Sequence, residues 1–230
     1  MINVNVLWII FLVLYVMSFV ALIIFRFLLS GDNIEYSYKR NFPCEIITSG
    51  SKMVPTYKIF LFIFAGLSFA PLFCILPKIG EFGSIGWLAI LISILYGFCG
   101  VFIAAIHIFE AKFIKVHSII ATIFFSLTML SSALSAVFSL LVFQVNNRFN
   151  LGSASSMIYM GLFIAITLFT LIIVINPKLK EWTKLEKVKL PDGSLGYDRP
   201  KVFILALSEW VVILAAVVSE LLFFLSLIKL

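Results

Sequence analysis

Long apolar runs separated by short polar stretches dominate the chain. Six of those runs reach the length that a bilayer core requires, about 20 residues each. They are Leu7–Leu29, Tyr57–Leu76, Ile85–Phe109, Val116–Phe143, Met157–Ile175 and Val202–Ile228. Such runs are read as helices, because a helix closes all of its backbone hydrogen bonds within its own segment. The expected fold is all-α: a polytopic integral membrane bundle of six transmembrane helices, one domain over residues 1–230 with no separate soluble part. Leu7–Leu29 is too long for a signal-peptide core, follows no basic residue and precedes no small-residue cleavage site, so it is read as a retained span.

Within this frame the breakers and small residues have positional meaning. Pro71 should kink the second span, which membrane helices tolerate when neighbours satisfy the freed carbonyl. Gly97 and Gly100 offer the third span a surface for close helix contact. In the fourth, Thr128, Ser132, Ser135 and Ser139 recur with Ala121 and Ala136 on roughly one side, a stripe read as packing surface. Residues 31–56, punctuated by Pro43, Gly50 and Pro55, read as a folded connection rather than another helix. Pro77–Ser84 reads as a short turn. Lys178–Lys189 mixes basic and apolar residues, as a helix lying at the interface would. Pro191-Asp192-Gly193 after it is a tight-turn signal. No internal repeat is seen.

Composition agrees: 63% of residues are hydrophobic and only 12% charged, too little polar surface to cover a soluble core. Three cysteines are too few for a disulfide framework. The net charge of +6 resides in loops, so it reports membrane orientation rather than nucleic-acid binding. Of the 17 basic residues, Lys78, Arg148 and Lys229 lie on one side and the other 14 on the opposite side. The positive-inside rule then puts the first, third and fifth loops in the cytoplasm and both termini outside.

Candidate chemistry gathers on that basic side. His107, Glu110 and His117, which include both histidines of the chain, flank the turn between the third and fourth spans. Glu209 lies roughly 12 Å into the last span at 1.5 Å per residue, where an ionisable group should face the bundle and find a partner. Arg26 and the two histidines stand at comparable levels on their own helices. These five residues are the expected lining of a polar pocket open to one membrane face. The bland reading makes the histidines interfacial residues bonded to headgroups or water. Glu220 has nothing basic level with it, so it is expected to be protonated or paired with a serine. His107 and Glu110, one helical turn apart, with His117 supply too few ligands for a zinc site. The two histidines near one turn are poorly placed to share a haem. No catalytic residue, metal or cofactor is assigned; membrane lipids are the expected partners.

Phe42-Pro43-Cys44-Glu45-Ile46-Ile47-Thr48-Ser49-Gly50, followed by Pro55 and Ile59-Phe60, resembles the first-loop signature of the damage-regulated autophagy modulator (DRAM)/FRAG/SFK family. Pro43, Thr48, Ser49 and Gly50 stand at the motif positions, although the family's acidic residue after the serine is replaced here. Phe109-Glu110, Val116-His117-Ser118 with Ala121, and Ser208-Glu209-Trp210 continue the resemblance in order over nearly the whole chain. It implies a six-span protein of endomembranes (lysosome, Golgi or ER) or the plasma membrane. It further implies links to autophagy, remodelling of lipid-anchored proteins and phospholipid organisation. It also implies cytosolic termini, opposite to the charge count.

Three classes of function fit these features. The favoured one is a lipid-interacting or regulatory membrane protein with a polar pocket at one face. The second is an intramembrane acid–base enzyme using His117 with Glu110 or Glu209; it lacks a nucleophile motif. The third is a transporter or channel subunit, which would show paired broken helices, whereas only Pro71 interrupts a span.

Overall fold

The structure, a computed structural model, describes residues 4–31, 36–109, 114–148, 154–179, 187–189, 195–197 and 200–228. Among them, six helices are long and apolar enough to cross a membrane, and the chain is an all-α integral membrane bundle. The first span is α1 (Val4–Gly31). A one-turn helix, α2 (Glu45–Thr48), lies in the first loop, where the sequence predicts no helix. Glu45 explains it: its Oε2 accepts from the Phe42 N–H at 3.1 Å and from Asn41 Nδ2 at 2.8 Å, closing the entry to the turn. Beyond it the chain reverses at Gly50, whose φ of 74° is strained for any residue with a Cβ.

The second span is broken into α3 (Val54–Leu67) and α4 (Ala70–Ile75). Pro71 has no N–H to return to the Leu67 carbonyl and cannot continue a helix without strain. The break therefore falls one turn before it, at Ser68-Phe69, where Ser68 Oγ donates to the Phe64 carbonyl at 3.2 Å. A 3-10 segment, Leu76–Ile85, replaces the expected turn and leads into α5 (Gly86–Ile108). The long α6 (Ile114–Arg148), α7 (Ala154–Val174) and α8 (Ile204–Ile228) complete the spans.

In the fifth loop, Lys187–Lys189 forms a strand, β1, paired antiparallel with β2 (Leu195–Tyr197). The expected interfacial helix therefore does not extend to Lys189; residues 180–186, and the tight turn at 190–194, lie outside the described residues. The last helix, α8, is the most buried span, contacting α1, α5, α6 and α7, whereas α7 is the most exposed.

Inside and outside are arranged for lipid. Large apolar side chains such as Met17, Phe27, Trp87 and Ile172 face outward, while Ser68, Ser93, Thr128, Ser131, Ser132 and Ser135 are fully buried. Without water to drive apolar groups together, small and hydroxyl-bearing residues mediate helix contact. The α6 stripe does so. Its hydroxyls return to their own helix, as Thr128 Oγ1 does to the Phe124 carbonyl at 3.0 Å, and also reach outward. Ser132 meets Thr167 of α7 at 2.8 Å, and Ser135 meets Tyr96 of α5 at 3.0 Å.

Candidate functional site

The end of α5, the starts of α3, α6 and α8 and the first loop meet at one end of the bundle. His117, in the first turn of α6, joins two of these elements. Its Nδ1 lies 3.0 Å from the Phe109 carbonyl, an orphan acceptor at the end of α5. A carbonyl only accepts, so Nδ1–H is the donor. Nε2 lies 3.0 Å from Glu209 Oε1, and these two atoms share one proton between them. Glu209 is 1% exposed and its Oε2 has no hydrogen-bond partner among the described residues.

His107, in the last turn of α5, is equally buried but differently engaged. Its Nδ1–H donates to the Ile103 carbonyl at 2.6 Å, and Nε2 has no partner among the described residues. The ring packs against Tyr57 at 5.8 Å and Trp210 at 5.5 Å between centroids. The Tyr57 hydroxyl, fully buried, is likewise without a partner among the described residues.

The first loop closes over these groups. Trp210 Nε1 donates to the Asn41 carbonyl at 3.3 Å, and the Phe203 N–H donates to the Lys39 carbonyl at 2.7 Å. Phe42, Cys44, Phe203 and Ala206 form a small apolar cap, in which Phe42 lies edge-on to the His117 ring at 5.5 Å. Tyr36 donates to the Phe42 carbonyl at 2.8 Å, and burial holds its phenol well above the usual tyrosine range, so it stays a donor.

Of the five expected pocket residues, the structure joins His117 to Glu209 and sets His107 nearby. The Arg26 side chain and Glu110 lie outside the described residues. Among the described residues the partner of Glu209 is His117. Of the loop motif, Pro43 is buried, and Ser49 Oγ donates to the Ile46 carbonyl at 2.7 Å while accepting from the Ser51 N–H at 3.3 Å. Ser49 and Gly50 therefore shape the loop, α2 takes in the backbone of Thr48, and its side chain lies outside the described residues. Comparison with protein-family models, curated proteins and solved structures returns no match.

Asn41 and Tyr57 escaped the sequence reading, and Trp210 entered it only within the Ser208-Glu209-Trp210 motif. Asn41 bonds the Ser37 N–H, Glu45 and Trp210 at once. Tyr57 and Trp210 flank His107; aromatics at span ends carry no distinguishing signal in so aromatic a chain. Far from this end, a cavity of about 290 Å³ between α6 and α7 is lined by apolar residues including Val137, Leu140 and Ile164. Its polar lining residue, Thr167, has its hydroxyl engaged with Ser132 and the Phe163 carbonyl. Among the described residues no cluster of three or more His, Cys, Asp or Glu could hold a metal ion.

Proposed function

We propose that this multi-pass membrane protein is lipid-interacting, and that the cluster around Glu209 receives a lipid headgroup bearing N–H or O–H donors. The unspent buried atoms at that end support the reading. Glu209 Oε2 is an acceptor, and with Nδ1 protonated the neutral His107 ring leaves Nε2 as another. Buried polar atoms are ordinarily hydrogen-bonded. Two acceptors and the Tyr57 hydroxyl at the level where helices meet headgroups suit a donor-rich ligand, a primary ammonium or a polyol. The headgroup enters when the Phe42–Phe203 cap parts.

The resemblance to the DRAM/FRAG/SFK family supports the same direction. It suggests a role in phospholipid organisation, autophagy or lipid-anchor remodelling, in an endomembrane or the plasma membrane. An acid–base enzyme is the second reading, favoured by the His117–Glu209 contact. Against it, both His117 ring nitrogens are already engaged, so neither is turned to a nucleophile.

Headgroup chemistry provides the test. The protein is melted in nanodiscs of phosphatidylcholine, whose trimethylammonium has no N–H, and in discs doped with phosphatidylethanolamine or phosphatidylinositol. Stabilisation by a donor-bearing lipid, absent in Glu209→Gln, is the expected result. Equal melting in all three membranes would remove the headgroup proposal.

A further inference from the structure

A second buried carboxylate lies deeper in the bundle. Glu220 is on α8, about 12 Å from that helix's last turn at 1.5 Å per residue, and is 3% exposed. It falls well within a hydrocarbon core of roughly 30 Å. Its hydrogen-bonded partner is a tyrosine, with a serine of the kind expected from the sequence, Ser68, beside it. Tyr15 of α1 donates its hydroxyl to Glu220 Oε2 at 2.6 Å, joining residues 205 positions apart. Oε1 has no hydrogen-bond partner among the described residues. A carboxylate at this depth is costly unless something answers its charge, and such residues commonly mark ion paths or sites.

The surroundings offer oxygen lone pairs and few protons. Ser68 lies next to both Glu220 and Tyr15. Its own hydroxyl proton goes to the Phe64 carbonyl, and that of Tyr15 goes to Glu220. Both oxygens therefore keep lone pairs while their protons are spent. Ser68 also marks the break between α3 and α4, and the preceding Leu67 carbonyl receives no N–H from Pro71. Interrupted helices beside a buried carboxylate are the arrangement that membrane proteins use to coordinate Na⁺ or H⁺. The other titratable groups near Glu220 are Tyr96 and Cys99 of α5, neither of them cationic. Tyr96 is bonded to Ser219 at 2.6 Å and to Ser135.

We propose that Glu220, Tyr15 and Ser68, at the break in the second span, form an intramembrane site for a monovalent cation, Na⁺. One carboxylate matches one positive charge. Hard oxygen donors without competing N–H groups suit an alkali ion. A proton on Oε1 would engage at most one of these lone pairs, whereas Na⁺ engages several oxygens at once. The site is independent of the headgroup cluster at the end of the bundle.

The test uses the full chain in nanodiscs, with NaCl exchanged for choline chloride at constant ionic strength, and measures both melting and retention of ²²Na⁺. A saturable rise in melting temperature with Na⁺, accompanied by ²²Na⁺ retention, is expected. Ser68→Ala should raise the half-saturating Na⁺ concentration about tenfold or more, the range for losing a supporting group at an ion site. Glu220→Gln should abolish both signals. Should Glu220→Gln fail to fold, the wild-type titration and Ser68→Ala still decide. Identical melting in Na⁺ and choline with no retained ²²Na⁺ overturns the site. Stabilisation by acid alone, lost in Glu220→Gln, overturns Na⁺ in favour of a bound proton.

Discussion

Glu209→Leu is expected to cost about 3–5 kcal/mol, the range for breaking a buried pair by removing one member. The loss comes from the groups left behind. His117 Nε2, now facing leucine, has no partner, and the ring that caps the Phe109 carbonyl loses its second anchor. Glu209→Gln keeps nearly the same shape and an oxygen at the position of Oε1, so its cost should be clearly smaller. His117→Leu removes the same contact from the other side. In a double-mutant cycle the combined variant should therefore lose less than the two single losses added together. Denaturant or thermal unfolding in detergent reads all five proteins, wild type included. Additive losses would show that the 3.0 Å contact carries no coupling, and a silent Glu209→Leu would mean that the residue is open to water rather than buried against His117.

The second large effect is at Gly100. A Cβ there would lie 2.3 Å from Ser68 Oγ and 2.5 Å from Ser68 Cβ, with the Ala65 backbone at 3.4 Å. The Ser68 Cβ cannot swing aside without moving the broken segment of the second span. Gly100→Ala should cost about 1–3 kcal/mol, as overpacking usually does. Gly97→Ala presses on the Phe69 ring at 2.2 Å, and a ring can rotate away more readily. Gly161 of α7 has nothing within 4 Å of a built Cβ, so Gly161→Ala is the control. It should be neutral or stabilising, since alanine is the better helix former. Equal melting of Gly100→Ala and Gly161→Ala would show that α5 and the second span are not in close contact at Ser68.

The six spans were legible because the length of an apolar run is a one-dimensional signal, and polar loops mark its ends. The level of Glu209 against His107 and His117 was legible for the same reason: the alternation of spans puts those ends on one side. Which cation faces Glu209 was not, because that depends on how each helix is rotated about its axis. The Tyr15–Glu220 bond was illegible for a further reason. A tyrosine inside an apolar run reads as one more hydrophobic residue, and no spacing rule links it to a position 205 residues away. Gly97 and Gly100 announced a close contact, while its occupants, Phe69 and Ser68, followed from the place where Pro71 breaks the second span. In loop one the sequence showed punctuation but not α2, whose single turn depends on Glu45 reaching back to Asn41 and Phe42.

Native mass spectrometry of lipids retained by the purified protein is the most direct measurement of the headgroup site. Wild type and Glu209→Gln are extracted from the same membrane containing phosphatidylcholine, phosphatidylethanolamine and phosphatidylinositol. Enrichment of a donor-bearing lipid over phosphatidylcholine in the wild type, lost in a Glu209→Gln protein of unchanged helicity, is the expected result. Retained lipid that mirrors the bulk membrane, or an enrichment that persists in Glu209→Gln, would contradict it.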